Sequence, residues 1–342
     1  MPTPPTPPIT RPATAKEDAA AAVARALTAT SPIVSMWRDG LTVIALGSTV
    51  ENRAPDYLTL DQATADAALD IHEAPAQTVP TVEAITGKAP VLLLGGDTII
   101  GGAQNRIINL TILLKATATT AIPVTCLEHG RWNRGGRFTA ARPVDHALRS
   151  MVAQQVTRGA CGPARPAGSA SEDLFAADQF AVWEEIGQRQ VRAAFNSPTQ
   201  ALHDVYEREE VSVDDFVRAF PMPAGSRGVA IGLFNRLVGL HLFDSIETLE
   251  RQWPRLVASA ASALLDQQRA IDAAVASKPV HRRLDSGALD RMLSRAASAL
   301  TDATVTSSVG LGRDVRFAGP KVVGTALVHD WRAIHVALFR PA

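Results

Sequence analysis

The stretch GGDTIIGGAQNRIINLT, residues 95–111, decides how this chain is read. Strand-like apolar residues lie on both sides of it, and within it four glycines are followed by Gln104-Asn105-Arg106. Gly95, Gly96, Gly101 and Gly102 permit positive φ and close backbone approach, so the stretch reads as a tight turn between strands. The same glycines could present backbone N–H groups to phosphate or carboxylate oxygens. No Gly-Lys-Ser/Thr follows, and no GxGxxG opens a helix, so the two common phosphate fingerprints are absent. Arg106 brings a planar fork suited to an oxyanion, and Gln104 and Asn105 each bring a donor and an acceptor. On an extended backbone Gln104 and Arg106 face one way, Asn105 and Asn109 the other. Gly101, Gly102, Gln104, Asn105 and Arg106 are therefore candidate ligand-binding residues. The alternative is that they tie down the turn.

The strands around this stretch are short, β-branched and separated by Gly, Pro or polar breaks: VPTVEAI, PVLLLG, RIINLTILLK and AIPVTCLE. Read as consecutive neighbours in an antiparallel meander, the last three bring the start of RIINLTILLK to the end of AIPVTCLE. That places Gln104–Arg106 beside CLEHGRW, residues 126–132, as one cluster. Glu128 is the candidate general base there, while Arg131 and Trp132 are candidates for holding an anion and stacking on a planar ligand. Cys126 stands in an apolar strand beside an acidic residue and is expected to be buried and unreactive. His329 and His335, either side of an expected Asp330-Trp331-Arg332 turn, fall roughly cross-strand and could serve acid–base work with Glu128. Two histidines without a third ligand do not define a metal site. Gln179 and Trp183 lie one helical turn apart on one face; Trp183 reads as packing, and the role of Gln179 stays open.

Farther out, MPTPPTPPITRPATA reads as a disordered leader over residues 1–15. A helix follows from Lys16 to Leu27, then a hairpin across Arg38-Asp39-Gly40 and a short helix entered near Thr59 or Asp61. After Arg142 the pattern turns helical, with one segment around Thr199 to Arg208 and a Gly/Pro/Ser-rich mobile loop over 157–174. Asn235-Arg236 marks a further turn. Ser245 and Thr248 are candidate caps for a long helix that Pro254 should kink or restart. Three or four strands close the chain. The fold expected is α+β: an antiparallel β-rich core, a helical middle and C-terminal strands returning to the sheet. Residues 16–342 form one domain, readable as a β-rich lobe (30–142) and a helical lobe with the last strands (143–342).

The 342 residues carry 34 basic and 34 acidic side chains, so no global field steers the chain onto nucleic acid or anionic lipid. Two cysteines exclude a disulfide framework. With no signal-type N-terminus and no long apolar span, a cytoplasmic, soluble protein is expected.

In order along the chain, YLTLDQATADAALDI, PVLLLGGDTIIGGAQNRIINLTILL, AIPVTCLEHGRW, DQFAVW, RGVAIGLFNRLVGLHLFDS and GTALVHDWRAIHVALF resemble the ARG and rhodanese-phosphatase-superfamily-associated protein domain family. The likeness runs from about residue 30 to 340, and Gln104-Asn105-Arg106 with Cys126, Glu128 and Gly130-Arg131-Trp132 are its most specific marks. It implies a setting near NAD-derived or ADP-ribosyl metabolism, with no activity attached. The expected function is binding, with or without processing, of a small phosphorylated nucleotide-type ligand. The rivals are a partner-binding scaffold and a hydrolase using Glu128 with His329 or His335. No cofactor and no oligomeric state is indicated by the residues.

Overall fold

A computed structural model describes residues 15–74, 80–131, 136–161, 174–274 and 284–341. The Pro/Thr-rich leader and most of the 157–174 stretch lie outside the described residues, as does Trp132.

The largest sheet takes strands from both halves of the chain. In spatial order it holds β1 (Thr30–Arg38), β2 (Leu41–Ser48), β12 (Gly228–Leu233), β13 (Arg236–Phe243), β17 (Arg332–Phe339), β16 (Val322–His329), β15 (Arg313–Gly319) and β14 (Thr304–Ser307). Asp39 and Gly40 have φ of 48° and 95°, the left-handed pair that a two-residue hairpin turn demands. The period of two assigns faces: Val43 and Ala45 enter one core, while Ile44 and Leu46 enter another. Helices α1 (Ala15–Thr28) and α7 (Ala288–Leu300) cover the second face through Val23, Leu27, Met292 and Ala296. Helix α6 (Ile246–Ala273) covers the first through Trp253, Val257 and Ala261. Its N-cap is Ser245, whose side chain accepts from the Thr248 amide, and it runs on through Pro254.

The remaining strands build a closed six-stranded barrel: β10 (Thr119–Cys126), β5 (Thr81–Thr86), β4 (Leu69–Glu73), β11 (Arg137–Ala141), β7 (Thr98–Gly101) and β8 (Arg106–Ile108). Ile71, Val82, Ile99, Ile108, Ile122 and Val124 fill it. A separate three-stranded sheet of β3 (Leu58–Thr59), β6 (Val91–Leu93) and β9 (Ile112–Leu114) shares that core through Val91, Leu93, Ile112 and Leu114, with helix α2 (Leu60–Ala65) entered at Thr59. Helices α3 (His146–Cys161), α4 (Gln179–Arg192) and α5 (Leu202–Ala219) share a core with the barrel residues Ile107 and Leu127.

Three sequence expectations are corrected. RIINLTILLK is not one strand: it breaks at Asn109-Leu110-Thr111 into β8 in the barrel and β9 in the small sheet. PVLLLG, as β6, therefore joins β9 rather than the meander. The helix expected near Thr199 to Arg208 extends to Ala219. The α+β class stands, with the C-terminal strands in the large sheet. Among the described residues no helix is long and apolar enough to cross a membrane.

Candidate functional site

The opening stretch contains two turns, and they do different work. Gly101 and Gly102, with φ of 121° and 50°, turn the chain from β7 to β8. A Cβ on Gly102 would lie 2.2 Å from the Phe138 ring, so glycine is demanded there by both conformation and space. Strand β8 then pairs directly with β10, Arg106 opposite Cys126. That register brings Gln104–Arg106 and Glu128–Arg131 to one end of the barrel.

There the polar groups largely satisfy one another, with Arg106 Nε left unpartnered among the described residues. Arg131 Nε donates to both Glu128 oxygens at 2.9 and 3.0 Å, and its Nη2 reaches Oε2 at 2.8 Å. Nη1 donates to the Gly102 carbonyl at 2.9 Å, and Nη2 also reaches Asn105 Oδ1 at 3.0 Å and the Gly101 carbonyl at 3.2 Å. The Asn105 amide donates to Glu128 Oε2, and the Gly101 amide to Asn105 Oδ1. Arg106 Nη1 donates to Gln104 Oε1 at 3.1 Å, and Gln104 Nε2 to the His129 carbonyl at 3.4 Å. Arg106 also lies 3.6 Å from Glu73, which accepts from the Ala103 amide. Two carboxylates and two guanidiniums thus form a neutral brace. Arg106 is only 1% exposed. Burial pushes the Glu128 carboxyl up, but hydrogen bonds from Arg131, Thr199 and the Asn105 amide, with the Arg131 charge, outweigh it and hold it below its ordinary range. Asn109 plays no part in the brace. The strand break sends it to the Phe175 carbonyl and the Thr125 hydroxyl.

Helix α4 is fastened to the brace. Gln179 accepts from the Cys126 amide at 2.7 Å and donates to its carbonyl at 3.0 Å, completing the backbone pairing of β10 as a neighbouring strand would. One turn on, Trp183 Nε1 donates to the Glu128 carbonyl at 3.2 Å. The Trp183 ring lies 4.4 Å from His129 and 5.8 Å from Phe180, which meets it edge-on. Phe180 is 79% exposed and His129 is exposed too, so these rings make an aromatic shelf at the surface. Cys126 beneath is fully buried, and burial pushes its thiol up to about 11.

The structure does not bring Glu128 together with either histidine. His329 faces Arg332 across the two-residue turn Asp330-Trp331, which leaves His335 farther along its strand, opposite Leu327. They are therefore not cross-strand partners. His329 lies 3.6 Å from Asp330. His335 is buried, and its ring nitrogens contact the Thr111 hydroxyl at 2.9 Å and His241 Nδ1 at 3.1 Å. Neither shares a hydrogen-bond partner with Glu128.

A second polar centre carried a sequence signal only at His335. It holds His146, His241, His335 and Arg149, all at most 4% exposed. Burial favours the neutral imidazole in each, taking His146 down to about 4 and His335 to about 3, and moving His241 in the same direction. Arg149 lies against the first glycine pair: a Cβ on Gly96, whose φ is 95°, would sit 2.5 Å from its Nε. Around it, Arg255 pairs with Asp97 at 3.0 Å and Asp61 at 2.8 Å, and Arg189 with Asp145 at 3.0 Å. Arg149 was unremarkable inside an ordinary helical stretch, and His241 inside alternating apolar residues. Only the packing of α3 against β15 and β16 discloses them. Among the described residues no group of three His, Cys, Asp or Glu side chains is placed to hold a metal ion.

No curated protein and no solved structure matches the chain. The family model of the ARG and Rhodanese-Phosphatase-superfamily-associated Protein domain matches residues 33–339, nearly its whole length, and the chain belongs to that family.

Proposed function

From that membership and this geometry, we propose that the domain is a non-catalytic binding module for a phosphorylated nucleotide-type ligand such as an ADP-ribose derivative. The observation that carries the reading is the shelf of Phe180, Trp183 and His129, built on the brace and open to solvent. An aromatic surface accepts any planar base, because stacking needs a π face rather than a particular hydrogen-bond pattern. The brace fixes the shelf through Trp183 and Glu128, and partly exposed Arg131 is bonded to that same glutamate. Gln104, Asn105 and Arg106 position the shelf; apart from the buried Arg106 Nε, the hydrogen bonds described for them are made within the protein. Glu128 is a poor general base here, since its lone pairs are committed to Arg131 and its proton affinity is lowered.

Isothermal calorimetry with ADP-ribose, AMP and ribose 5-phosphate tests this. The two adenine compounds should bind and the sugar phosphate should not. Phe180→Ala, at an exposed position, should weaken adenine binding by about 1–3 kcal/mol while leaving the fold intact. Equal binding by Phe180→Ala, or none by either adenine compound, rejects the shelf.

A further inference from the structure

We infer that the internal cavity between α3, the β8–β9 connection and the large sheet binds one compact inorganic anion, a halide or small oxyanion, through Arg149. This site is separate from the aromatic shelf and owes nothing to it. The cavity measures about 20 Å³ and is lined by Gly95, Thr111, Arg149, Arg316, His335 and Phe339 among others. A single water-sized body needs roughly 10–15 Å³ by this measure, so the space suits one small ion and excludes a nucleotide.

The lining contains two guanidiniums and no carboxylate. Arg149 is 2% exposed, and its Nε and Nη1 have no hydrogen-bond partner among the described residues. Buried charges are ordinarily paired, and an orphaned guanidinium is among the costliest groups a core can hold. The carboxylates that act on it are Asp97 and Asp145, and both are already committed. Asp97 accepts from Arg255 at 3.0 Å and from the Leu94 amide at 2.8 Å. Asp145 is held by Arg189 and Tyr206 and caps the amides of Ala147 and Leu148. The surroundings leave the Arg149 guanidinium depressed to about 10, chiefly by burial.

The second guanidinium does not relieve the imbalance. Arg316 Nη1 is spent on the carbonyls of Val156 and Leu174 and Nη2 pairs with Asp314, while its Nε is also unpartnered. His335 is neutral, with both ring nitrogens occupied, and brings no charge of its own. A water molecule would meet the hydrogen-bonding need of Arg149 but not its charge. An anion meets both, accepting from a guanidinium N–H while it neutralises the charge.

The test uses full-length protein exchanged into a gluconate buffer, with bromide, nitrate or phosphate titrated at constant ionic strength. Binding should raise Tm with the logarithm of anion concentration, by roughly 2 °C for each tenfold excess over Kd. Arg149→Met, which keeps the length and removes the charge, should fold and lose the response. Arg149→Lys keeps the charge without the fork, and should need at least tenfold more anion. Phe180→Ala should respond as wild type does. Crystals of the wild type grown in bromide should show an anomalous peak at Arg149, a readout independent of whether either variant folds. A water at that position with no bromide peak overturns the inference. So does an equal Tm response in wild type and Arg149→Met.

Discussion

Two buried clusters of charge stand within one chain and are built on opposite terms. In the brace at the barrel end, Glu128 and Arg131 exchange three hydrogen bonds, and every neighbouring turn contributes a partner. In the centre beneath the large sheet, Arg149 is buried with two N–H positions unmatched and three neutral histidines around it. The first cluster is dense with polar residues in sequence and, Arg106 Nε apart, closed in its bonding. The second is sparse in sequence and open in its bonding. Polar residues crowded along a chain thus mark a place where the backbone needs help, whereas an unmatched buried charge marks a place where something is missing.

Acid should separate the two most strongly. All three histidines are neutral when folded and protonate near 6.5 when free, so their folded values are lowered. Their contribution to stability is present above pH 6.5 and is lost as pH falls toward 4 and 3, because the unfolded chain then binds protons the folded chain refuses. Each contributes up to about 1.4 kcal/mol per pH unit, about 4 for the three together. Glu128 is also lowered, but from an ordinary value of 4.5, so the brace begins to weaken only below that pH. Urea denaturation from pH 7.5 to 4.5 should therefore show a steep loss that His241→Phe and His335→Phe reduce. A flat profile across that window would mean the centre does not exclude protons.

Mutation should invert the usual ranking of charges. Glu128→Ala leaves Arg131 without its carboxylate and should cost about 3–5 kcal/mol, since breaking one member of a buried pair strands the other. Arg149→Met in anion-free buffer should be neutral or stabilising, because the carboxylates that act on it, Asp97 and Asp145, keep their own guanidinium partners, Arg255 and Arg189. Chemical denaturation of both variants checks this. A loss at Arg149→Met as large as at Glu128→Ala would erase the distinction.

The smallest effect lies within the brace. Arg106 and Glu128 do not touch but are linked through Gln104, the His129 carbonyl and the adjacent Asn105 amide. Arg106→Ala and Glu128→Ala should be non-additive by about 0.5 kcal/mol or more, and Arg131 with Glu128 by up to about 3. A clean sum for Arg106 and Glu128 would show two independent turns rather than one brace.

Much of the architecture is legible in local pattern. The Asp-Gly hairpin, the Ser245 cap, the barrel strands and the closing strands each follow from turn chemistry or a period of two. The meeting of Gln104–Arg106 with Glu128–Arg131 follows from antiparallel neighbours. It survives the loss of β6 from the meander because β8 and β10 still pair. The break at Asn109 was not legible, since an apolar run reads alike whether one sheet or two will receive it. Nor was the role of Gly95-Gly96, which concerns a side chain 53 residues away on α3. The tight turn that pairs His329 with Arg332, and so parts it from His335, is a detail that alternation alone does not encode.

The large sheet also sets the order of events on the ribosome. The β1–β2 hairpin is made early, yet β2 is buried on both faces and pairs along its second edge with β12. That strand begins about 180 residues later, which at 5–20 residues per second is roughly 10–40 seconds of synthesis. Throughout that interval Leu41–Leu46 is an apolar ribbon with one unpaired edge, the kind of surface that seeks another chain. The nascent protein is therefore a natural client for a chaperone until its last third emerges.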